Sequence, residues 1–194
     1  CLITASDLNM HHVGHVSRQQ RLDEYKAYVE HFNGFCYKGN SDNELPLDQE
    51  ANLDLFPKKT LVKHVEQAIE STKPDIIMVQ GPSFHHDHTA VYEATIAATR
   101  PTGRVMPAEI YVLENPTYVH SIDSSTTFNP DTYISLTDEQ LESKLRCFRE
   151  CFPSQIRENE NYLSDDGLRS WARYRGIEAR TKYAEAIHTY LRVI

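Results

Sequence analysis

The chain lacks any apolar run long enough to cross a membrane, because a spanning helix needs roughly 20 consecutive apolar residues. Basic residues are scarce as well: 20 Lys and Arg stand against 28 Asp and Glu, which gives a formal net charge of -8. Such a balance offers no basic patch for a phosphate backbone. The sequence therefore argues against a transmembrane segment and against nucleic acid as a partner, and it predicts a soluble protein.

Cysteine is also rare. The four cysteines are Cys1, Cys36, Cys147 and Cys151, and none belongs to a Cys-x-x-Cys pair. Cys147 and Cys151 lie four residues apart on a predicted helix, a spacing that suits two small apolar core residues better than a disulfide or a zinc knuckle. We therefore expect reduced thiols and a cytoplasmic location.

The most informative feature that is present is the tetrad His85-His86-Asp87-His88, which follows the apolar run 76–79. A neutral imidazole is the commonest metal ligand, and a nearby carboxylate fixes which ring nitrogen carries the proton. Two histidines separated by two residues can face one pocket, one as a metal ligand and the other as a hydrogen-bond donor. The alternative is a solvated loop that happens to be rich in histidine.

The surrounding pattern favours a site. Residues 59–70 place apolar side chains on one helical face, residues 76–79 are typical of a fully buried parallel strand, and the alanine-rich residues 89–99 predict a second helix. Ligands of open α/β sheets bind outside the carboxyl ends of the strands. The tetrad is therefore predicted to form a reactive loop at such an end.

The remaining segments extend an α/β pattern over one domain, since 194 residues suffice for a single sizeable core. The predicted segments are a buried strand over 1–4, a helix over 17–31 capped by Ser17, strands over 110–113 and 128–136, a helix from the Thr137/Gln140 capping box to about residue 152, a helix over 168–175 ended by Gly176, and a final helical turn from Tyr183.

Two weaker features precede the tetrad. A polar loop contains His11, His12 and His15, for which a position at a pocket rim is favoured over a ligand role. Arg21 and Glu24 lie at i,i+3 spacing on the predicted helix that follows. The simplest interpretation of that pair is a surface ion pair that contributes at most a few tenths of a kcal/mol.

With these segments placed, the chain resembles the zinc-dependent de-N-acetylases of the PIG-L or LmbE-like family, which remove acetyl groups from N-acetylglucosamine conjugates. The tetrad corresponds to the family's His-x-Asp-His motif, with His86 where many members have proline. Five shorter blocks occur in the family's order: Arg21-x-x-Glu24-x-x-Ala27, Lys73-Pro74-Asp75, Ser154-Gln155, Arg175-Gly176 and Tyr183-Ala184-Glu185-Ala186. The resemblance implies a single domain over residues 1–194 with a Rossmann-like, mostly parallel sheet flanked by helices, and a small-molecule or glycoconjugate substrate.

The resemblance also implies a set of roles. A zinc ion, or another transition metal, would activate a water molecule for attack on the acetamide carbonyl. His88 would bind the metal. His85 would stabilise the oxyanion or protonate the departing amine, Asp87 would hold the neighbouring imidazole in its working tautomer, and Arg21 would help to position the substrate. Two further metal ligands and the general base are expected in a Pro-x-Asp-Asp segment, together with a first strand, ahead of Thr4.

Two alternatives belong to other functional classes. A noncatalytic sugar-binding relative would need no general base. A hydrolase with an N-terminal nucleophile would use Cys1, whose own α-amino group would serve as the base. The sequence leaves open the choice among N-acetylated substrates, the identity of the metal and the oligomeric state.

Overall fold

A computed structural model of the chain describes residues 7–34, 52–101, 106–116, 128–158 and 161–194. The helices in these residues are α1 (Arg18–His31), α2 (Lys58–Thr72), α3 (His86–Ala98), α4 (Asp138–Cys151) and α5 (Asp165–Ala179). The strands are β1 (Leu8–Met10), β2 (Gly14–Val16), β3 (Ile76–Gln80), β4 (Glu109–Leu113), β5 (Thr132–Leu136) and β6 (Tyr183–Arg192). None of these helices combines the length and apolarity that crossing a bilayer would require.

The chain forms two compact units. Of the described residues, 7–34, 134–158 and 161–185 belong to the first unit, and 52–101, 106–116, 128–133 and 186–194 belong to the second. The expectation of a single domain over residues 1–194 stays a prediction. The strands predicted over 1–4 and ahead of Thr4 lie outside the described residues, as do Cys1 and Cys36.

Among the described residues, the main sheet has four strands in the order β3-β4-β6-β5, while β1 and β2 form a separate antiparallel hairpin. β3 and β4 pair in parallel, with Ile76 opposite Glu109 and Gln80 opposite Leu113. β6 runs antiparallel to β4. The predicted α/β class is confirmed, and β5 lies within the strand that was predicted over residues 128–136.

The second unit contains the predicted succession of helix, strand and helix around the tetrad. The apolar face of α2 buries Leu61, Val65 and Ile69, and α2 packs against α3. Lys73 ends α2 in the left-handed conformation, with φ 46°. β3 follows where it was predicted and leads to the tetrad at the start of α3.

The expectation that β3 is fully buried is wrong. Ile76 is 48% exposed and Met78 is 58% exposed, whereas Val79 is buried. Side chains two residues apart in a strand lie on the same face of the sheet. The face of β3 that carries Ile76 and Met78 is therefore exposed in the described part of the chain.

The first unit has its core between α4 and α5, where Leu141, Leu145 and Ala172 form a buried apolar cluster. The predicted capping box at the start of α4 is confirmed: the Gln140 N–H donates to Thr137 Oγ1, and the Thr137 N–H donates to Gln140 Oε1. Such caps satisfy N–H groups that have no partner within the helix.

The cap of α1 is confirmed, since Ser17 Oγ accepts from the Gln20 N–H. The interpretation of Glu24 as half of a surface ion pair is wrong. Glu24 is the buried residue of α1, whereas Phe32, the C-cap residue of the helix, is 61% exposed. The two Glu24 carboxylate oxygens accept hydrogen bonds from the N–H and the Oγ–H of Ser154, each at 2.7 Å.

Two predictions near the C-terminus are wrong. Gly176 does not end a helix, because α5 continues to Ala179; a Cβ at position 176 would lie 2.6 Å from the Lys182 carbonyl oxygen, so close backbone packing explains the glycine. The segment from Tyr183 is the strand β6 and not a helical turn. Its Ala184 and Ala186 are buried at alternate positions, which is the two-residue period of a strand.

Candidate functional site

The tetrad forms the N-terminus of α3 instead of a loop that precedes the helix. His85 is the N-cap residue, and its Nδ1 accepts a hydrogen bond from the Asp87 N–H at 3.3 Å. His86, Asp87 and His88 belong to the first turn, so α3 begins at His86 where residue 89 was predicted. An imidazole acceptor can substitute for the usual polar cap, and a carboxylate in the first turn is favoured by the helix dipole.

The three imidazole rings of the tetrad are stacked, with His85 in the middle. The His85 and His88 ring centroids are 4.6 Å apart with an interplanar angle of 20°, and the His85 and His86 centroids are 4.8 Å apart with an angle of 25°. The tetrad therefore forms one contiguous cluster of imidazole rings at the start of α3.

His88 has a distinct environment. Burial lowers its pKa to about 4, and the neighbouring His85 contributes to that lowering, so His88 is neutral at pH 7. Its Nδ1 lies 3.0 Å from Ser83 Oγ and 3.4 Å from Asn115 Nδ2. Ser83 Oγ also accepts the His85 N–H at 3.2 Å. The hydroxyl thus fixes the backbone of His85 and the ring of His88.

Asp87 is buried, and its Oδ1 accepts the Leu53 N–H at 2.8 Å. The same oxygen lies 3.5 Å from His86 Nε2, and Asp54 Oδ1 lies 3.9 Å from that nitrogen. The carboxylate therefore joins the start of α3 to the 3₁₀ segment Leu53–Leu55. Its imidazole contact is with His86, and the implied role of Asp87 in holding a working tautomer stays a prediction.

An open groove lies on the His86 side of the tetrad, in the second unit. Its lining includes Leu53, Asp54, Ser83, Phe84, His86 and Thr89. Phe84 is 54% exposed, which gives the groove an apolar wall beside the polar tetrad. The groove provides room for a ligand that combines apolar and hydrogen-bonding groups.

Arg21 lies on α1 in the first unit, while His85, Asp87 and His88 are together in the second unit. His11 and His12 lie in the turn of the β1–β2 hairpin, and His15 lies in β2. His12 Nε2 is 2.9 Å from the Ser154 carbonyl oxygen and also contacts Arg157, so its observed partners are within the first unit. The predicted substrate contact of Arg21 and the predicted rim position of the histidines stay predictions.

His88 meets the requirement for a metal ligand, because the ring is neutral and its Nδ1 has a fixed partner. The described residues do not add two more ligands beside it. The group of three potential metal ligands in the tetrad consists of His85, His86 and Asp87, whose ligand atoms lie within 4.8 Å of one another. A catalytic zinc site uses three protein ligands. At the tetrad, the described residues therefore supply His88 as the ligand that the resemblance implies, and the group of three potential ligands there does not include it.

No protein-family model matches the chain. A segment of 96 aligned residues is 27% identical to the malate dehydrogenase of Staphylococcus epidermidis, and it covers 46% of this chain and 31% of that relative. The chain thus spans less than a third of the length of this curated relative, and the match concerns a part of each protein.

Three solved structures are similar over most of the chain. A conserved protein from Thermus thermophilus has a TM-score of 0.62, 18% identity, and coverage of 92% of this chain and 76% of that chain. The N,N'-diacetylchitobiose deacetylase from Pyrococcus horikoshii has a TM-score of 0.57 and 17% identity, and the match covers 93% of this chain and 67% of that chain. The zinc-inhibited form of a teicoplanin deacetylase has a TM-score of 0.58 and 20% identity, and the match covers 89% of this chain and 72% of that chain. The chain therefore shares the fold of these three proteins, two of which are deacetylases.

Within that fold, Ser83 and Asn115 are residues that the sequence did not single out. Ser83 follows β3 and Asn115 follows β4, and both reach His88 because the carboxyl ends of two parallel strands meet at one edge of the sheet. A hydroxyl or an amide a few residues beyond a predicted strand is too common to stand out. The usable signal was the parallel pairing of β3 with β4, which brings the two segments together.

Proposed function

We propose that the chain acts as a metal-dependent hydrolase that removes the acetyl group from an N-acetylglucosamine-type conjugate. The observation that carries this proposal is the stacked pair of His85 and His88 at the carboxyl end of β3, in which each ring has its own hydrogen-bond partner. The fold that the chain shares with two deacetylases supports it. The malate dehydrogenase match does not argue for hydride transfer, because it covers a part of each protein.

His88 is the proposed metal ligand. In this role the Nδ1–H donates to Ser83 Oγ, and the Nε2 lone pair is left for the metal. A bound metal of this kind lowers the pKa of a water ligand and polarises a carbonyl oxygen. Ser83 Oγ accepts from Nδ1 in this tautomer and fixes the orientation of the ring, so Ser83 is a positioning residue for His88. Asn115 adds a second acceptor only when its amide is turned so that Oδ1 faces the ring.

His85 is the proposed donor to the substrate. Its Nδ1 already accepts the Asp87 N–H, so the single proton of the neutral ring is on Nε2. An Nε2–H is the donor that the oxyanion of a tetrahedral intermediate needs. Protonation of the departing amine would require a second proton on Nδ1, so that the ring gives up its Nε2–H and stays neutral, and Nδ1 would then release the Asp87 N–H. Asp87 supports this arrangement by holding the first turn of α3 through Leu53.

Two roles depend on the resemblance alone. Arg21 is proposed to position the sugar conjugate, and its i,i+3 partner Glu24 is engaged with Ser154 instead. The general base is proposed to be an aspartate of the Pro-x-Asp-Asp segment that the resemblance implies.

The test measures acetate release and bound metal in matched histidine variants. His88→Ala should lose the metal and the activity together, whereas His85→Ala should keep the metal and lose about 10²–10⁴ in turnover, the range for a general acid or an oxyanion donor. His188→Ala is the control, because His188 lies in β6, is 44% exposed and has no proposed role. Acetate release can be measured with N,N'-diacetylchitobiose, and the metal by native mass spectrometry.

Equal metal content in the His85 and His88 variants would contradict the division of roles. Saturable sugar binding without acetate release would favour the noncatalytic relative. Activity that a thiol reagent abolishes and a chelator leaves intact would favour a Cys1 nucleophile.

A further inference from the structure

A second group of potential metal ligands lies in the first unit, away from the tetrad in sequence. It consists of His31 in the last turn of α1, and Cys147 and Cys151 near the end of α4. One ring nitrogen and the two Sγ atoms all lie within 4.8 Å of one another. The packing of α1 against α4 brings the three side chains together.

The spacing of the two sulfur atoms suits a bridging metal ion. Cys147 Sγ and Cys151 Sγ are 3.9 Å apart. Two thiolates bound to one zinc at about 2.3 Å with tetrahedral angles would lie about 3.8 Å apart. The thiols are thus already at the separation that one ion requires.

The same pair is poorly placed for a disulfide. Residues four apart on a helix have Cβ atoms about 5–6 Å apart. A disulfide needs Cβ atoms about 3.5–4.5 Å apart. Oxidation of Cys147 and Cys151 to a disulfide would therefore require the last turns of α4 to deform, whereas binding of an ion would not.

The two cysteines of this group are buried, whereas the histidine is exposed to solvent. The cysteines are 7% and 3% exposed, and His31 is exposed on the solvent side. A zinc-bound nitrogen lies about 3.6 Å from a sulfur bound to the same ion, so the His31 ring needs only a small rotation toward the thiols.

Two sulfurs and an imidazole form a soft donor set, which favours zinc or cuprous ion over magnesium or calcium.

The neighbouring groups are compatible with an ion at this place. Burial raises the pKa of the Cys147 thiol to about 11, and the hydrogen bond with Cys151 contributes to that rise. Binding of an ion would release the thiol protons. The Glu150 carboxylate lies close enough to influence Cys147, and its charge favours a cation.

We propose that His31, Cys147 and Cys151 form a zinc-binding site that is separate from the tetrad and joins the end of α1 to the end of α4. The ion has three protein ligands, and water occupies the fourth position. This site does not depend on the proposed hydrolase function.

Cobalt titration tests the proposal, because Co²⁺ substitutes for zinc and its bonds to thiolates absorb in the near ultraviolet. The protein is first reduced and freed of metal, and it carries Cys1→Ser and Cys36→Ser so that only two thiols remain. We expect a charge-transfer band that saturates at one equivalent and disappears when Zn²⁺ is added. The band should persist in His88→Ala, since the tetrad contains no sulfur.

Variants of the three ligands decide the outcome. Cys147→Ser combined with Cys151→Ser should abolish the band, with circular dichroism as the check on folding. Loss of an outer-shell partner of a metal ligand already costs 10–100-fold in affinity, so His31→Gln should weaken Co²⁺ binding by at least about tenfold. Because His31 is exposed, this variant should fold normally. The absence of a band in the folded protein, or an unchanged affinity in His31→Gln, would overturn the proposal.

Discussion

Replacement of Glu24 should destabilise the protein strongly, because this carboxylate joins α1 to the segment after α4. Glu24 is 7% exposed, and its two oxygens accept the N–H and the Oγ–H of Ser154 at 2.7 Å. A hydrogen bond to a charged group contributes about 1.5–3 kcal/mol. Glu24→Ala removes two such bonds and leaves two donors without this acceptor, so we expect a loss of about 3–5 kcal/mol in the free energy of unfolding.

Urea denaturation followed by circular dichroism measures this loss. Glu24→Gln keeps one oxygen acceptor and nearly the same volume, so its expected cost is smaller, about 1–2 kcal/mol. Glu30→Ala is the matched control on the same helix, because Glu30 is 66% exposed and pairs only across the surface with Lys26. Its expected effect is within about 0.5 kcal/mol. If Glu24→Ala cost no more than Glu30→Ala, the assignment of Glu24 as a structural anchor would be refuted.

Two further substitutions test the fold. Gly176→Ala should destabilise the protein by about 1–3 kcal/mol despite the better helix propensity of alanine, since the new Cβ would lie 2.6 Å from the Lys182 carbonyl oxygen. Thermal unfolding measures this effect, with Ser170→Ala at an exposed site on α5 as the control. A neutral or stabilising effect of Gly176→Ala would contradict the close packing. Desolvation raises the pKa of Asp131, but hydrogen bonds from the Thr189 N–H and from the Thr132 and Thr189 hydroxyls outweigh it and hold the pKa below its ordinary 3.8. The stabilisation from the Asp131 carboxylate is therefore complete above pH 3.8 and is lost as the pH falls through the lower pKa of the folded state. The free energy of unfolding of the wild type should exceed that of Asp131→Asn by at most about 1 kcal/mol, because the group is exposed, and this difference should shrink below pH 3.8. A difference that stays constant with pH would contradict this account.

The region around the tetrad was predictable because its periodicity is strong. The apolar face of α2 and the short apolar strand β3 gave the right element types, and the position after a parallel strand gave the right edge of the sheet. The burial of β3 was not predictable in the same way. Continuous apolar sequence indicates a buried strand, but the exposure of Ile76 and Met78 depends on which elements cover each face of the sheet, and no local pattern records that.

The C-terminal elements were harder to predict. Alanine and glutamate around Tyr183 favour a helix locally, yet β6 pairs with β4, and this non-local pairing overrides the local preference. Gly176 was expected to end a helix because glycine commonly does so. The real constraint at that position is the approach of the Lys182 backbone, a tertiary contact that no local pattern records.

The candidate site was predictable as a set of residues but not as a set of contacts. The tetrad itself stands out in the sequence, whereas the partners of His88 come from Ser83 and Asn115, which ordinary loop composition conceals. Glu24 was predicted with the wrong partner. A carboxylate and an arginine at i,i+3 spacing indicate a surface ion pair, but the observed partner of Glu24 is Ser154, which is 130 residues away in the sequence.

The central claim is that this chain hydrolyses an acetyl amide with the help of a metal. The most direct test follows acetate release from N,N'-diacetylchitobiose before and after treatment with a chelator, in protein that carries Cys147→Ser and Cys151→Ser so that the second proposed metal site does not contribute. The account predicts that release stops when the metal is removed and returns when Zn²⁺ is restored. Release that continues in the chelator, or sugar binding with no release at any metal concentration, would contradict it.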